Sequence, residues 1–162
     1  PLRSCLTSGI ERHLRNAMIQ WNGSTDSIDW SELSEMYRLA PLGNKSPDWL
    51  KIAFTNSMFK FFARDNGALV AAGRAVADGV DCSYICDIAV HPSHQGKGLG
   101  REVIERLVAA SHGHRKIILY SVPGKEDFYR RFGFRRMKTA MAIFENPEQA
   151  ATNGYTDEGS IR

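Results

Sequence analysis

Apolar residues recur at three- and four-residue intervals in three stretches of the chain, and this spacing predicts three amphipathic helices. The first helix follows Asp29, which forms a capping-box pattern with Glu32, and it ends before Pro41. The second begins with the proline of Ser46-Pro47-Asp48 at its first position. Its predicted buried stripe consists of Trp49, Ile52, Ala53 and Ser57. The third helix covers residues 99–111.

The middle of the chain has the pattern of β-strands. We predict strands over residues 58–64, 68–77 and 82–90, separated by the turn sequences Asp-Asn-Gly and Asp-Gly. Strands joined by such tight turns pair antiparallel, so these three form an antiparallel meander. A further strand over residues 14–21 precedes the helices.

The pattern after the third helix predicts three more elements. These are a buried strand over residues 116–122, a short helix over residues 126–132 that ends at Gly133, and a closing strand over residues 138–144. Helices and strands therefore alternate on both sides of the meander.

Length and composition are those of one globular domain, with 162 residues of which 43% are hydrophobic and 24% charged. We predict a flexible arm over residues 1–12, a single domain over residues 13–146 and a polar tail over residues 147–162. No apolar run reaches the roughly 18 residues of a membrane span, and no signal-peptide pattern is present. We therefore expect a cytoplasmic protein that does not bind membranes.

Cysteines and histidines predict neither a disulfide framework nor a metal site. The three cysteines are odd in number and lack the spacing of metal ligands, which favours a reducing compartment. His91 and His94 flank a proline turn, and His112 and His114 flank a glycine, without cysteine or carboxylate partners at ligand spacing.

Positive charge is concentrated in one part of the chain, although the net charge is only +3. The cluster consists of Arg130, Arg131, Arg135, Arg136 and Lys138. It is either a solvated surface, which is the commoner role of a charge run, or an attractor for an anionic ligand. The small net charge gives no independent reason to expect nucleic-acid binding.

The sequence Gln-Gly-Lys-Gly-Leu-Gly at residues 95–100 carries the most functional information. It lies between a predicted strand and a predicted helix, where unpartnered backbone N–H groups and the helix dipole favour a phosphate. It does not match the P-loop pattern, and Arg101 stands where the dinucleotide fingerprint needs its third glycine. A phosphate-bearing cofactor of another class is therefore expected.

Three motifs in order resemble the GNAT superfamily of acyl-CoA-dependent N-acetyltransferases. They are Asp-Ile-Ala-Val-His-Pro at residues 87–92, Gln-x-x-Gly-x-Gly at residues 95–100, and Phe-Tyr-Arg-Arg-Phe-Gly-Phe at residues 128–134. The resemblance implies an α/β (α+β) fold, a mixed, mostly antiparallel twisted sheet with helices on both faces. It also implies acetyl-CoA as co-substrate, an amine as acceptor and no metal.

The resemblance places acetyl-CoA along the fourth strand and the glycine turn. The Val90 backbone would bind the pantetheine arm as an added strand does. Residues 95–100 and Arg101 would hold the pyrophosphate, and Lys97 is either an added charge there or a solvated lysine. The implied cofactor-binding residues are Ile88, Ala89, Val90, Gln95, Gly96, Lys97, Gly98, Leu99, Gly100, Arg101 and Lys125. The chain departs from the family pattern at Val122 and Lys125, where many members have Asn-x-x-Ala.

The implied reaction is direct attack of an amine on the acetyl thioester, with three candidate catalytic residues. Tyr129 stands where the family commonly has the acid that protonates the leaving sulfur, and its alternative role is that of a buried packing residue. The Ile88 N–H would face the thioester carbonyl. Asp87 is either the base or a structural carboxylate, and deprotonation through ordered water would need no dedicated base.

Acceptor choice in such proteins lies with the first two helices, and the candidate acceptor-binding residues are Trp30, Tyr37, Trp49 and Asp87. Aromatic walls with carboxylates suit a small hydrophobic or aromatic primary amine, although aromatics at helical spacing are more often core residues. A protein, peptide or aminoacyl-tRNA acceptor is the alternative, with the basic cluster binding RNA in the last case. A non-catalytic acyl-CoA sensor is a third reading. A homodimer is compatible with the resemblance.

Overall fold

The computed structural model describes residues 19–40 and 42–157. Contacts divide the chain into two compact units, the first ending at Ile118 and the second beginning at Leu119. The predicted arm over residues 1–12 and residues 14–18 of the predicted first strand lie outside the described residues.

A five-stranded sheet forms the centre of the first unit, and its spatial order β1-β2-β3-β4-β5 is also the order along the chain. The strands are β1 (Ile19–Asn22), β2 (Phe59–Asp65), β3 (Ala68–Ala77), β4 (Cys82–Val90) and β5 (Lys116–Ile118). The first four pair antiparallel, and β5 runs parallel to β4. The predicted meander over residues 58–90 is confirmed.

Helices lie on both faces of this sheet. They are α1 (Trp30–Leu39), α2 (Pro47–Thr55) and α3 (Leu99–Ala110). Ala72 of β3 belongs to the core cluster formed with α1 and α2, whereas a side chain at the next residue, Gly73, would meet α3. Because successive strand residues point to opposite faces, α3 lies on the other side. The predicted fold class is confirmed.

At the start of α1, the predicted N-cap is confirmed, but the predicted capping box is wrong. Asp29 caps the helix, accepting from the backbone N–H groups of Ser31 at 2.9 Å and Glu32 at 3.1 Å. The Glu32 carboxylate does not complete a capping box. It accepts instead from the Leu69 N–H at 2.7 Å and from Arg64 at 3.1 Å. Glu32 therefore ties α1 to the sheet.

The predicted buried stripe of α2 is wrong at Trp49 and Ile52 but correct at Ser57, just beyond the helix, which is 3% exposed. Leu50 and Phe54 are fully buried, while Trp49 is 46% and Ile52 63% exposed. The ring of Phe54 packs 5.0 Å from that of Phe62 on β2, between centroids. This large contact fixes the rotation of α2 and places Trp49 at the margin of the core.

The absence of a side chain at Gly73 allows α3 to approach β3 closely. A Cβ atom built there would lie 2.5 Å from Val103 Cγ1 and 3.1 Å from Leu107 Cδ1. Both side chains are fully buried, and a β-branched valine in a helix has one strongly preferred rotamer.

Replacement of Gly73 by alanine is expected to reduce the free energy of unfolding by about 1–3 kcal/mol, because the added methyl overpacks the interface with α3. Chemical denaturation measures this loss. The double variant Gly73→Ala/Val103→Ala should recover part of it, since the second change removes the nearest clashing atom. Additive losses in the double variant would contradict the steric explanation.

The second unit contains α4 (Glu126–Arg130) and α5 (Pro147–Thr152). Gly133, at φ +88°, follows α4 as predicted. Helix α5 lies within the predicted polar tail, and Asn146 caps it by accepting from the Gln149 N–H at 2.9 Å, with Pro147 in the first helical position.

Two strand predictions near the C-terminus are also wrong. The strand predicted over residues 116–122 ends at Ile118, and no strand forms over residues 138–144 among the described residues. Met141 and Ile143 there are almost fully exposed. Their alternating apolar pattern resembles a half-buried strand, but no burial accompanies it.

Candidate active site

A β-bulge interrupts β4 at the predicted catalytic residues. The register with β3 shifts between Ala72 and Arg74, so that Asp87 and Ile88 both lie opposite Gly73. Asp87 has φ +53°, a conformation that L-residues rarely adopt and that aspartate tolerates better than most. The bulge bends the strand where the resemblance places the thioester.

Two cations hold the carboxylate of Asp87. The Arg74 Nε donates to Oδ2 at 2.5 Å, and the Lys45 ammonium forms an ion pair with Oδ1. The side chains of Asp87 and Arg74 are only 11% and 12% exposed, and that of Lys45 is 20% exposed. Arg74 also donates to Ser57 Oγ at 3.1 Å. These polar groups satisfy one another, as largely buried charges must.

Two of the predicted acceptor-binding aromatics belong to the same cluster. Tyr37 is fully buried and its hydroxyl donates to the backbone carbonyl of Asp87. Burial raises the pKa of Tyr37 well above its ordinary value, so the hydroxyl remains a donor. The Lys45 ammonium lies 5.1 Å from the centroid of the Tyr37 ring and 4.9 Å from that of Trp49. Trp30 does not join them and packs on Phe54.

Cys86 precedes the bulge and is not suited to carry an acyl group. Burial raises its pKa to about 11, against the opposing influence of the nearby Arg74 cation. The thiol therefore remains protonated at neutral pH, whereas a nucleophilic cysteine requires the thiolate.

The backbone of Val90 points away from β3. Val90 lies opposite Ala71, and the adjacent His91 N–H donates to the Val70 carbonyl at 2.8 Å. In an antiparallel ladder hydrogen-bonded pairs alternate with non-bonded ones, so the Val90 N–H and C=O face the other side. There the Gln95 side chain donates to the Val90 carbonyl at 3.0 Å, and β5 pairs only with β4 residues up to Tyr84.

The turn before the glycine sequence is fastened to the β2–β3 hairpin. His94 Nε2 lies 2.9 Å from Asp65 Oδ2, and His94 Nδ1 lies 2.8 Å from Ser93 Oγ. The same hydroxyl lies 2.7 Å from His91 Nδ1. His91 and His94 therefore both form hydrogen bonds that position the turn.

The glycine turn leaves the N-terminus of α3 open. Gly96 and Gly98 have φ values of +73° and +94°, and a Cβ atom at either position would have no neighbour within 4 Å. Gly98 is the N-cap and supplies no side-chain hydrogen bond. The first N–H groups of α3 therefore remain available to an anion.

The charged side chains at this turn lie on the surface. Lys97 is exposed, and the Arg101 side chain is 70% exposed with its Nε 2.7 Å from Glu105 Oε1. Leu99 differs from these residues because it is buried beneath the helix. To bind an anion, Arg101 must give up its ion pair with Glu105. That pair is exposed to solvent, so its loss costs little free energy.

Replacement of Gly98 by alanine is expected to raise the KM for acetyl-CoA, because an L-residue resists the left-handed conformation and the turn relaxes. The accompanying loss of folding stability should be about 1 kcal/mol. Steady-state kinetics and thermal unfolding measure the two effects. Gly113→Ala is the matched control, with φ +101° beyond the other end of α3. An equal rise in KM for the control would contradict a local effect at the turn.

The remaining site candidates lie in the second unit. Tyr129 on α4 is half-buried, with its ring in edge contact with Phe128 at 5.1 Å and with Phe134 at 6.3 Å. Burial raises the pKa of its hydroxyl. Lys125, just before α4, is exposed. The tyrosine environment thus favours the protonated form that a general acid needs.

Lys45 and Arg74 are members of the Asp87 cluster that the sequence reasoning missed. Arg74 did carry a signal, as a single charged residue inside the otherwise apolar β3. Lys45 carried none, because a lysine in a polar loop is ordinarily solvated. Its role follows only from the folded position of the α1–α2 connection.

The described residues contain neither a metal-binding cluster nor a membrane-spanning helix. Over residues 19–40 and 42–157, no group of three or more His, Cys, Asp or Glu side chains could hold a metal ion. In the same part of the chain, no helix is long and apolar enough to cross a membrane.

Comparison with known proteins gives consistent matches. The profile of the Acetyltransferase (GNAT) family matches residues 18–134. Serotonin N-acetyltransferase 2, chloroplastic, of Oryza sativa subsp. japonica is 33% identical over 135 residues, which are 78% of this chain and 68% of that protein. GCN5-related N-acetyltransferase 1, chloroplastic, of Arabidopsis thaliana is 46% identical over 115 residues. That alignment spans 68% of this chain but only 58% of the relative.

A solved structure shows the same fold. The GNAT-family acetyltransferase of Streptococcus pneumoniae superposes with a TM-score of 0.66 at 21% identity, covering 80% of this chain and all of that one. The family profile covers most of the chain, and it includes the bulged strand, the glycine turn and Tyr129. The chain therefore belongs to the GNAT family and is an N-acetyltransferase of that family.

Proposed function

We propose that this protein transfers the acetyl group of acetyl-CoA to the primary amine of a small molecule, by direct attack in a ternary complex. The observation that carries the acceptor assignment is the cluster of Asp87, Tyr37 and Trp49 beside the bulge of β4. A carboxylate next to aromatic rings is the chemistry that binds a cationic amine.

The open backbone of Val90 and the uncapped N-terminus of α3 support the binding of acetyl-CoA. The first provides an N–H and a C=O for the amide groups of the pantetheine arm, once the Gln95 amide releases the carbonyl. The second provides unpartnered N–H groups for the pyrophosphate. The proposed cofactor-binding residues of the first unit are Ile88, Ala89, Val90, Gln95, Gly96, Lys97, Gly98, Leu99, Gly100 and Arg101. The proposal for Lys125 rests on the resemblance alone.

Acetyl-CoA supplies an activated acyl group on a thioester. We assign to the Ile88 N–H the stabilisation of negative charge on the thioester oxygen. Asp87 positions this donor, because contacts from Tyr37, Lys45 and Arg74 hold its strained conformation. The protonated thiol of Cys86 favours direct transfer over an acyl-cysteine intermediate.

Tyr129 is the proposed general acid that protonates the departing CoA thiolate. Its half-buried ring and raised pKa keep the phenol protonated at neutral pH. The bound ammonium loses one proton to ordered water before it attacks the thioester carbon, and a second proton as the amide bond forms. The phenol donates its proton to the thiolate as the C–S bond breaks, and water then returns a proton to the phenolate.

The acceptor is proposed to be a primary amine attached to an apolar or aromatic group, because Trp49 exposes part of its ring beside the cluster. One rice relative is named for serotonin, an aromatic amine, which supports this class. The cytoplasmic location and the homodimer stay predictions, and two plant relatives are named as chloroplastic.

The proposal is tested by acetyl-CoA consumption with a panel of arylalkylamines, polyamines, aminoglycosides, amino acids and peptides. We expect turnover with arylalkylamines or other apolar primary amines. Turnover with peptides alone would replace the acceptor class with proteins. Tight CoA binding without transfer to any member of the panel would favour the sensor reading.

A further inference from the structure

The ammonium of Lys45 lies in an arrangement suited to a bound amine. It forms an ion pair with Asp87 and lies about 5 Å from the ring centroids of Tyr37 and Trp49. Two aromatic rings and a carboxylate together attract a primary ammonium by cation–π and ionic interactions. The protein's own lysine thus occupies a site with the chemistry of an amine receptor.

Lys45 belongs to the connection between α1 and α2, which lets its side chain leave without unfolding a helix. Its backbone carbonyl accepts from Ser34 Oγ at 2.6 Å, which anchors the main chain. Gly43 and Asn44 before it are exposed. A lysine side chain has four rotatable bonds, and its strongly hydrated ammonium can move to solvent at modest cost.

Arg74 keeps the Asp87 carboxylate paired with a cation when Lys45 leaves. Its Nε donates to Oδ2 of Asp87, whereas Lys45 contacts Oδ1. Departure of Lys45 would free one carboxylate oxygen and leave the other paired. The vacated subsite would therefore accept one ammonium without leaving an isolated buried charge.

We propose that Lys45 is the resident occupant of the acceptor's ammonium subsite and that an acceptor must displace it. The inference rests on the proposed function and deepens it, because it makes Lys45 an internal competitor of the cationic amine.

The test is calorimetric titration of the full chain, with and without CoA, using hexylamine as the probe. We expect Lys45→Met to bind hexylamine about tenfold more tightly than the unsubstituted chain, because the internal competitor is gone. Lys45→Arg, which keeps a cation, should bind no more tightly than the unsubstituted chain.

Equal affinity of Lys45→Met and the unsubstituted chain for hexylamine would overturn displacement, as would no binding to either. Lys45→Gln provides a second variant if Lys45→Met unfolds, which thermal unfolding detects. The titration does not depend on acetyl transfer, so failure of this inference and failure of the proposed function give different results.

Discussion

Replacement of Tyr129 by phenylalanine is expected to lower kcat by about 10²–10⁴, the usual contribution of a positioned general acid. The KM for acetyl-CoA should change little, because the phenyl ring retains the edge contacts with Phe128 and Phe134. Steady-state kinetics with a good acceptor measure both constants. Tyr155→Phe is the matched control in the same unit, where the ring packs against Phe144, and it should leave kcat unchanged.

The pH dependence distinguishes an acid from a packing residue. Because burial raises the pKa of Tyr129, the phenol stays protonated through neutral pH and loses its proton only in alkaline solution. The kcat of the unsubstituted protein should therefore fall at the alkaline end of its profile, and this fall should be absent in Tyr129→Phe. An alkaline fall that persists in the variant belongs to another group and removes Tyr129 from the proton transfer.

Replacement of Asp87 by asparagine is expected to reduce the free energy of unfolding by about 3 kcal/mol, because two largely buried cations lose their counter-charge. Chemical denaturation measures the loss. Turnover should also fall steeply, since the bulge that presents Ile88 loses its ionic support. The control is Asp81→Asn, because Asp81 also faces two cations, Arg115 and Lys116, but its side chain is 48% exposed. Its stability loss should be much smaller, since exposed pairs contribute little.

The pH profile of the same variant decides whether Asp87 is a base. A base would give an acidic limb in kcat that flattens in Asp87→Asn. A positioning role would lower turnover at every pH and leave the limb in place. The Arg74 contact favours the second outcome, because its guanidinium holds the carboxylate in place whether or not Lys45 is displaced.

The sequence was sufficient to predict the elements in which the hydrophobic pattern and the flanking turn residues indicate the same structure. Residues 58–90 have strand-like segments separated by turn sequences, and α3 follows a glycine turn, so these elements agree with prediction. The rotation of α2 could not be predicted, because it depends on the contact of Phe54 with Phe62, which is distant in sequence. The strand predicted over residues 138–144 was wrong for a related reason. Its apolar residues alternate as in a strand, but no partner strand lies beside them among the described residues.

The candidate site divides in the same way. Backbone sites such as Val90 and the glycine turn depend on local conformation, which glycine spacing and strand order specify. The environment of Asp87 depends on Tyr37, Lys45 and Arg74, which come from three separate elements. The motif correctly predicted that Asp87 lies on a mostly buried strand. It did not predict which residues pair with the carboxylate. Such long-range ionic contacts become visible only in the folded chain.

The agreement between strand order and chain order has a consequence for synthesis on the ribosome. Each strand from β2 to β5 adds beside the strand made before it, so its pairing never waits for a later segment. The connections from β2 to β3 and from β3 to β4 are short loops, and local contacts of this kind favour fast folding. All members of the Asp87 cluster precede residue 90, so its ionic contacts can form while α3 is still in the exit tunnel. The glycine turn and α3 then add to a sheet on which the Asp87 cluster is already assembled.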